Sequence, residues 1–289
     1  CLRIAQITNP FPQKSGFRGR FFLKQILSPV DFRKKKHYIF EIQLFMEFYR
    51  EMSAPVYKRV LLKISGESLQ GNKGHGYDPE AVASVAARIR EALETGVEIA
   101  LVVGAGNIWR GLANSKGGMD RVTADQMGML ATAMNALCLK EAFRQAGGDC
   151  AVHSAVGMEP FLPRYNRDEA LRQLAEHKLV LFACGTGSPF FTTDTTAALR
   201  ALEIKAQALF KATKVNGIYT ADPKKDPAAT RFETISFPEV LSRKLAVMDA
   251  AAFSLCSENG LHIVVFDFDE PGALLKVLHG DNSVGTVVS

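Results

Sequence analysis

Two short stretches of the sequence decide the fold class: residues 57–66 read YKRVLLKISG, and residues 97–106 read VEIALVVGAG. Each is a largely apolar run, which is typical of a strand buried on both faces of a parallel sheet. Each run ends in a turn of small residues. Between them Asp78 and Pro79 supply a helix N-cap and a first-turn proline, and Gly96 marks a helix end. The pattern predicts a strand–helix–strand unit.

The same alternation continues to the end of the chain. Further strands are predicted at 150–154, 179–184, 207–212 and 261–268, with an edge strand at 285–288. Further helices are predicted at 123–145, 168–177, 193–204, 238–245, 248–258 and 271–278, and a polar loop region at 218–237. This order predicts an α/β protein, a three-layer α/β/α sandwich with a mostly parallel central sheet. Because the sequence shows neither an internal repeat nor an interdomain linker, we expect residues 52–289 to form one domain.

Composition excludes several classes of protein. The chain has 289 residues, of which 47% are hydrophobic and 22% charged, so a disordered, collagen-like or coiled-coil protein is excluded. Its apolar runs are too short to span a bilayer, so we expect no membrane partner. Five cysteines without a CxxC pair indicate reduced thiols, and we expect a cytoplasmic protein.

The positive charge of the chain is concentrated near its beginning. Residues 1–51 hold 10 Lys or Arg and 4 Asp or Glu, whereas the remaining residues hold 25 and 26. The net charge of +5 is therefore no sign of nucleic-acid binding by the main domain. Three interpretations of residues 1–51 remain: a transit peptide, an accessory element built on residues 38–49, or a non-native or disordered extension preceding a start at Met52. We favour the last.

Ligands of open α/β sheets bind beyond the C-terminal ends of the strands. Three predicted strand ends carry loops of small and hydroxyl residues: 63–68 (KISGES), 104–107 (GAGN) and 185–194 (GTGSPFFTTD). Small residues let backbone N–H groups approach an anion, and a helix N-terminus adds its positive end. Three such loops in one sheet favour a ligand with several phosphates.

Four charged residues lie next to these predicted loops: Lys63, Arg110, Asp194 and Lys211. Phosphoryl transfer needs cations where negative charge accumulates and a carboxylate to organise them. Lysine in an apolar strand is costly unless it is paired, which favours a functional role over simple snorkelling for Lys63 and Lys211. The alternative for Asp194 is a carboxylate that only stabilises a helix N-terminus.

The common nucleotide motifs are absent from the sequence. It contains no GxxxxGK(S/T), no protein-kinase signature and no GxSxG, and residues 104–111 do not match GxGxxG. No histidine has a metal-ligand spacing, so we predict no metal site formed by a side-chain motif.

The glycine loops and the run 211–223 (KATKVNGIYTADP) instead resemble the amino acid kinase family, over residues 56–288. Within it, 185–195 (GTGSPFFTTDT) and 121–137 (RVTADQMGMLATAMNAL) are similar to the bacterial UMP kinases. The resemblance implies the reaction ATP + UMP → ADP + UDP in pyrimidine nucleotide biosynthesis, with Mg²⁺ carried by ATP. It also implies a homohexamer activated by GTP and inhibited by UTP, without a nucleic-acid partner.

The resemblance further implies roles for individual residues. Catalysis is assigned to Lys63, Lys211, Asp194 and Arg110. ATP binding is assigned to Lys63, Ile64, Ser65, Gly66, Gly106, Arg110, Thr213, Asn216, Tyr219 and Asp222. UMP binding is assigned to Ala105, Asp125, Thr186, Gly187, Ser188, Pro189, Phe190, Phe191, Thr192 and Thr193. The stretch associated with GTP activation is Gly71, Asn72, Lys73, Gly74, His75 and Gly76. Ala105 replaces a family glycine, which a contact through the backbone N–H tolerates.

Two alternatives to a UMP kinase remain. One is a kinase of the same fold that acts on another small substrate, such as an acyl or isoprenoid phosphate. The other is a nucleotide-binding sensor or storage protein without catalysis, against which the two lysines and Asp194 argue. We expect UMP to be preferred over CMP, AMP and GMP, because the loop 185–193 is short and holds two adjacent phenylalanines.

Overall fold

The computed structural model describes residues 54–109, 118–223, 225–245 and 247–289. Its strands form one sheet. In chain order they are β1 (Arg59–Ile64), β2 (Glu98–Val103), β3 (Cys150–Ser154), β4 (Leu179–Ala183), β5 (Ala208–Thr213), β6 (Thr234–Ile235), β7 (His262–Asp267) and β8 (Gly285–Val288). Their order across the eight-stranded sheet is β3-β4-β2-β1-β5-β7-β8-β6. Neighbours among these strands are parallel, except that β8 runs antiparallel to β7.

Most of the helices begin next to a polar residue that caps them. They are α1 (Pro79–Leu93), α2 (Arg121–Gln145), α3 (Arg167–Ala175), α4 (Thr193–Glu203), α5 (Phe237–Ser242), α6 (Ala250–Glu258) and α7 (Ala273–Leu278). Side chains that accept hydrogen bonds from the first backbone N–H groups cap α1 to α6: Asp78, Asp120, Asn166, Thr192, Ser236 and Asp249. Such caps satisfy donors that a helix N-terminus otherwise leaves unpaired.

Two apolar layers cover the sheet, one on each face. Leu62 packs with residues of α1, α2 and α7, whereas its neighbour Leu61 packs with residues of α3, α4 and α6. Successive strand residues point to opposite faces, so a continuous apolar strand fits only a sheet that is covered twice. Both leucines have a relative exposure of 0%, and such burial contributes about 1.5–3 kcal/mol per side chain. The predicted three-layer α/β/α sandwich is confirmed.

The C-terminal part of the sheet differs from the prediction. The segment 285–288 is an inner strand, because β8 pairs with both β7 and β6. The region 218–237, predicted as a loop, contains the two-residue strand β6. A strand this short has no period that a sequence pattern could detect. Similarly, α5 ends at Ser242 and not at residue 245.

Residues 1–53 lie outside the described residues, so the N-terminal extension and the boundary at residue 52 stay predictions. Residues 55–289 form one compact unit. No helix in the described ranges is long and apolar enough to cross a membrane. The described cysteines, at positions 138, 150, 184 and 256, are free thiols.

Candidate active site

Two lysines and one aspartate form an ionic cluster at the C-terminal ends of β1 and β5. Lys63 and Lys211 are direct neighbours in the register of these strands and therefore point to the same face. Asp194, in the first turn of α4, lies between them. Lys63 Nζ is 2.8 Å from Asp194 Oδ1, and Lys211 Nζ is 2.6 Å from Asp194 Oδ2. We call these three residues the lysine cluster, and the structure thus brings together three of the four charged residues that the sequence analysis singled out.

The lysine cluster carries a net positive charge in a nearly buried position. Burial by itself would raise the pKa of the Asp194 carboxyl, but the ammonium groups of Lys63 and Lys211 outweigh it and hold that pKa below its usual value. Burial lowers the pKa of Lys211 despite the attraction of Asp194, and the charge of Lys63 adds to this lowering. Lys211 also donates a hydrogen bond to the carbonyl of Val247. An arrangement of fixed cations with little water suits a group that gains negative charge.

The loops after β1 and β2 touch through their backbones. A Cβ atom on Gly66 would lie 2.5 Å from the carbonyl oxygen of Gly104 and 2.9 Å from the N atom of Gly106. Gly104 N–H donates to the carbonyl of Ile64 at 3.0 Å, and the Ile64 side chain lies in the core. The Ser65 hydroxyl accepts a hydrogen bond from Glu67 N–H. Glycine at 66 is therefore required by packing, and the backbone of Ile64 rather than its side chain is close to this turn.

A buried pair of asparagines, which the sequence analysis did not single out, holds the β2 loop. Asn135 in α2 donates to Gly104 O at 2.7 Å and to Asn107 Oδ1 at 2.8 Å. Asn107 donates in return to Asn135 Oδ1 at 3.1 Å and to Gly76 O at 3.0 Å. A polar residue at a core position of α2 is the signal that could have indicated this pair. The pair also joins the stretch 71–76 to the β2 loop.

A cavity of about 210 Å³, which we call the α2 cavity, lies between the start of α2 and the loop before α4. Its lining residues are Ala105, Trp109, Arg121, Ala124, Asp125, Gly128, Met129, Thr132, Gly185, Thr186, Ser188, Phe191, Thr192 and Thr193. Most residues assigned to UMP by the resemblance are among them. Gly187, Pro189 and Phe190 are not part of this lining.

Asp125, a residue of α2, connects this helix to the loop before α4 by a hydrogen bond. Its Oδ2 accepts hydrogen bonds from Arg121 Nε and from Phe190 N–H, each at 2.8 Å. The Phe190 backbone has a φ of 71°, and its ring lies 5.3 Å from the Arg121 guanidinium. A non-glycine residue in this left-handed region is strained, so the Asp125 contact offsets that cost. Arg121, four residues before Asp125, is a cation of this cavity that the sequence analysis missed.

Asp249 was also missed, although it reaches the loop before α4. The Thr195 hydroxyl lies 3.1 and 3.0 Å from its two carboxylate oxygens, and the Thr192 hydroxyl donates to Oδ2 as well. Asp249 Oδ1 also accepts from Ala252 N–H at 2.9 Å and so caps α6. The sequence pattern predicts a helix start near this aspartate, but its contact with α4 depends on the packing of two helices.

A second cavity, of about 570 Å³, lies beyond the end of β5. We call it the hairpin cavity, and its lining residues are Thr213, Val215, Gly217, Ile218, Tyr219, Thr220, Ala221, Asp222, Pro223, Arg243, Lys244, Leu245, Val247 and Val265. Asn216 is absent from this lining, but its Oδ1 accepts a hydrogen bond of 2.5 Å from the Tyr219 hydroxyl. Arg243 and Lys244 are cations that the sequence analysis did not assign here. Arg110 lies outside the described residues, so its predicted role stays a prediction.

The lysine cluster joins the two cavities. Thr192 and Thr193 of the α2 cavity directly precede Asp194, and Val247 of the hairpin cavity accepts the hydrogen bond from Lys211. The cluster thus borders both cavities.

Comparison with known proteins first identifies the class of protein. A model described as the amino acid kinase family matches residues 58–267, which include the whole lysine cluster, so the protein is an α/β kinase. The chain belongs to the amino acid kinase family.

Several solved structures are similar over most of the chain. The UMP kinase from Bacillus anthracis is 33% identical with a TM-score of 0.78, and the match covers 81% of this chain and 96% of that one. The UMP kinase from Ureaplasma parvum is 35% identical with a TM-score of 0.76, covering 80% and 98%. The uridylate kinase from Archaeoglobus fulgidus is 26% identical with a TM-score of 0.60, covering 80% and 99%.

Proposed function

We propose that this protein transfers the γ-phosphoryl group of ATP to UMP, producing ADP and UDP. The observation that carries the proposal is the position of the lysine cluster, which contacts Thr192 of the α2 cavity through Asp194 N–H and Val247 of the hairpin cavity through Lys211. The names of the two bacterial neighbours, both UMP kinases at 33% and 35% identity, support UMP as the acceptor.

UMP is assigned to the α2 cavity. Asp125, whose side chain is 13% exposed, would accept hydrogen bonds from the ribose hydroxyls, and the hydroxyls of Thr186 and Ser188 would meet the base or phosphate. Arg121 would add a positive charge near Asp125. A narrow cavity lined by small and hydroxyl residues favours a pyrimidine nucleotide over a purine nucleotide.

ATP is assigned to the hairpin cavity. Thr213, Tyr219 and Asp222 would surround the base and ribose, with Asn216 orienting the Tyr219 hydroxyl. The phosphates would extend toward Lys211 and then Lys63, over the glycine turn at Gly66.

In the proposed reaction, an oxygen of the UMP phosphate attacks the γ-phosphorus of ATP while the bond to the β–γ bridging oxygen breaks. Lys63 and Lys211 would stabilise the charge that develops on the transferring group and on the leaving oxygen. Asp194 would act as a positioning residue, because one carboxylate holds both ammonium groups in place. Positioning and charge stabilisation are the main sources of catalysis in this type of reaction.

Mg²⁺ is proposed to enter with ATP. No three His, Cys, Asp or Glu side chains in the described parts of the chain come together as a metal site, and both oxygens of Asp194 face ammonium groups. A metal ion bound to the β- and γ-phosphates would neutralise part of their charge. Homohexamer assembly, activation by GTP through residues 71–76, inhibition by UTP, a role in pyrimidine biosynthesis and a cytoplasmic location stay predictions.

The proposal is tested with a coupled assay of ADP release, in which MgATP is combined with UMP, CMP, AMP, GMP, or acyl and isoprenoid phosphates. We expect UMP to have the highest kcat/KM. A site whose donor faces uracil O4 would leave that donor unpaired with cytosine, which can reject the analogue by roughly 10⁴-fold in a dry site. Similar kcat/KM values for UMP and CMP would indicate a broad pyrimidine kinase. Turnover with an acyl or isoprenoid phosphate alone would overturn the proposal.

A further inference from the structure

One side of the hairpin cavity is lined by the segment 217–223, which pairs in antiparallel fashion with the segment 225–232. Phe232 N–H donates to Ile218 O and Thr220 N–H to Thr230 O, each at 2.9 Å, and Tyr219 pairs with Arg231. We call these segments the hairpin wall. It carries Tyr219, which the proposed function assigns to ATP.

Arg231 joins the hairpin wall to the turn that precedes β8. Its guanidinium donates to the carbonyls of Asn282 at 3.1 Å, Ser283 at 2.8 Å and Gly285. Its aliphatic stem lies against Gly217, where an added Cβ would come within 2.9 Å of Arg231 Cδ. One side chain with a fork of donors thus connects three carbonyls of a remote segment to the wall.

Thr286, the second residue of β8, makes a further connection to the same wall. Its side chain has a relative exposure of 0%. Its hydroxyl accepts a hydrogen bond of 2.9 Å from Ile218 N–H and donates to Phe232 O, so one group satisfies both segments of the wall. Valine at this position would have a similar shape but would leave a buried donor and a buried acceptor unpaired.

We propose that Arg231 and Thr286 are positioning residues for the donor nucleotide, because they hold the hairpin wall in the conformation that binds ATP. We call this pair the β8 anchor. The inference rests on the proposed function, which places ATP in the hairpin cavity. When only a fraction of the molecules has a competent wall, the apparent Kd rises by the inverse of that fraction. The β8 anchor therefore sets the affinity for ATP, while the lysine cluster and the α2 cavity remain intact.

The hydrogen bonds described for Arg231 and Thr286 end on backbone groups of the hairpin wall and of the turn before β8, and not on the lysine cluster. The polar contacts of the Arg231 side chain end on backbone carbonyls of residues 282–285, and neither Arg231 nor Thr286 is among the residues that line the two cavities. Loosening the wall should thus change binding of ATP much more than the rate at saturating ATP. A residue needed only for folding would instead lower Tm and the amount of active enzyme, and so the apparent kcat, without raising KM for ATP.

The experiment measures the Kd of MgATP by isothermal titration calorimetry in the absence of acceptor, together with KM for each substrate, kcat and Tm. Arg231→Lys keeps the charge but replaces the fork with a single ammonium. Thr286→Val removes the hydroxyl, and Thr286→Ser restores it. Arg144→Lys, an exposed arginine paired with Glu141 on α2, is the matched control.

We expect Arg231→Lys and Thr286→Val each to raise the Kd and KM for ATP roughly 10-fold, as the loss of a buried hydrogen bond predicts. KM for UMP and kcat should stay unchanged in both variants, and the control variant Arg144→Lys should behave like the wild type. Thr286→Ser should recover most of the ATP affinity. Unchanged ATP affinity in both variants would overturn the inference. So would a parallel loss of kcat, of ATP affinity and of UMP affinity, or a failure of serine to rescue.

The failure of the proposed function can be distinguished from the failure of the anchor. If the wild-type protein binds MgATP but does not phosphorylate UMP, the acceptor is wrong, and the Kd measurements still decide the role of Arg231 and Thr286. If the wild-type protein does not bind MgATP, both the proposed function and the anchor are overturned.

Discussion

The α2 cavity and the hairpin cavity are built in different ways. The α2 cavity is lined mainly by two continuous stretches, 121–132 and 185–193, which are rich in small and hydroxyl residues. The hairpin cavity takes its lining from 213–223, from 243–247 and from Val265 in β7. The first cavity follows from motifs that are local in the sequence. The second combines one such motif, 213–223, with residues 243–247 and Val265, which no motif marks.

This difference separates two kinds of dependence on the rest of the molecule. In the α2 cavity, Asp125 is held by Arg121 of its own helix and by one loop N–H group. In the hairpin cavity, the wall depends on contacts with β8 and the turn before it. Changes in the first should therefore affect one substrate through direct contacts, whereas changes around the second should act through the order of the wall.

The largest effect is expected at the lysine cluster, which borders both cavities. Lys63→Ala should reduce kcat by roughly 10²- to 10³-fold, because removal of a donor that meets transition-state charge costs this much. Steady-state kinetics and thermal unfolding check this, with Lys58→Ala as a control just before β1. A normal kcat with only a raised KM for ATP would show that Lys63 binds the ground state instead.

A smaller effect is expected at Asp249, which connects α6 to the loop of the α2 cavity. Asp249→Ala should lower the free energy of unfolding by about 1 kcal/mol through loss of the α6 cap. It should also raise KM for UMP, since the Thr192 and Thr195 hydroxyls lose their acceptor.

Asp249→Ser provides the matched variant, because serine can cap α6 but is too short for both threonines. We expect it to recover stability but not the KM for UMP. Recovery of both by serine would mean that Asp249 acts only as a cap.

Asp125→Asn should raise KM for UMP by roughly 10-fold, because a charged acceptor of the ribose hydroxyls and of Arg121 is lost. KM for ATP should stay unchanged, which would sharpen the contrast between the two cavities. The measurement is the pair of KM values together with Tm. A fall in Tm with an unaltered KM for UMP would assign Asp125 to the support of the loop alone.

The pH dependence of the reaction should reflect Lys211. Because burial and Lys63 lower the pKa of Lys211, its ammonium loses its proton at a lower pH than an ordinary lysine. Activity should therefore fall on the alkaline side, and Lys211→Arg should shift this fall to higher pH because arginine stays charged. The pH profile of kcat/KM for both proteins is the test, and an identical alkaline limb in the variant would contradict it.

Stability should move in the opposite direction from activity over that pH range. In the window between the lowered pKa and that of an ordinary lysine, the unfolded state binds more protons at Lys211 than the folded state. The contribution of this residue to the free energy of unfolding therefore rises with pH. Comparing unfolding of the wild type and of Lys211→Gln as a function of pH isolates this contribution.

The smallest effect is expected from deletion of residues 1–51. The family model begins at residue 58, and the excess positive charge lies before residue 52. A chain that starts at Met52 should keep the activity and the assembly of the full chain, as measured by the coupled assay and by light scattering. An inactive or insoluble product would show that the segment supports the catalytic domain.

The sequence by itself determined the alternation of strands and helices, the glycine turn at Gly66 and the two lysines near the ends of β1 and β5. These features could be predicted because apolar runs, helix caps and turns depend on interactions within a few residues. The same dependence explains why the predicted end of α5 was wrong and why β6 was not predicted. Neither segment is long enough to show a periodic pattern of apolar residues.

The tertiary structure alone decided the inner position of β8 and the contacts that complete the site. Asp249 meets Thr195 across 54 residues, Ile218 meets Thr286 across 68, and Asn107 meets Asn135 across 28. Each contact joins side chains or backbone groups whose partner is selected by the packing of whole elements, and no local pattern encodes that choice. Motifs thus identified Lys63, Asp194 and Lys211, whereas the folding of distant segments onto one sheet edge brought these three together and placed Arg121 and Asp249 beside the α2 cavity.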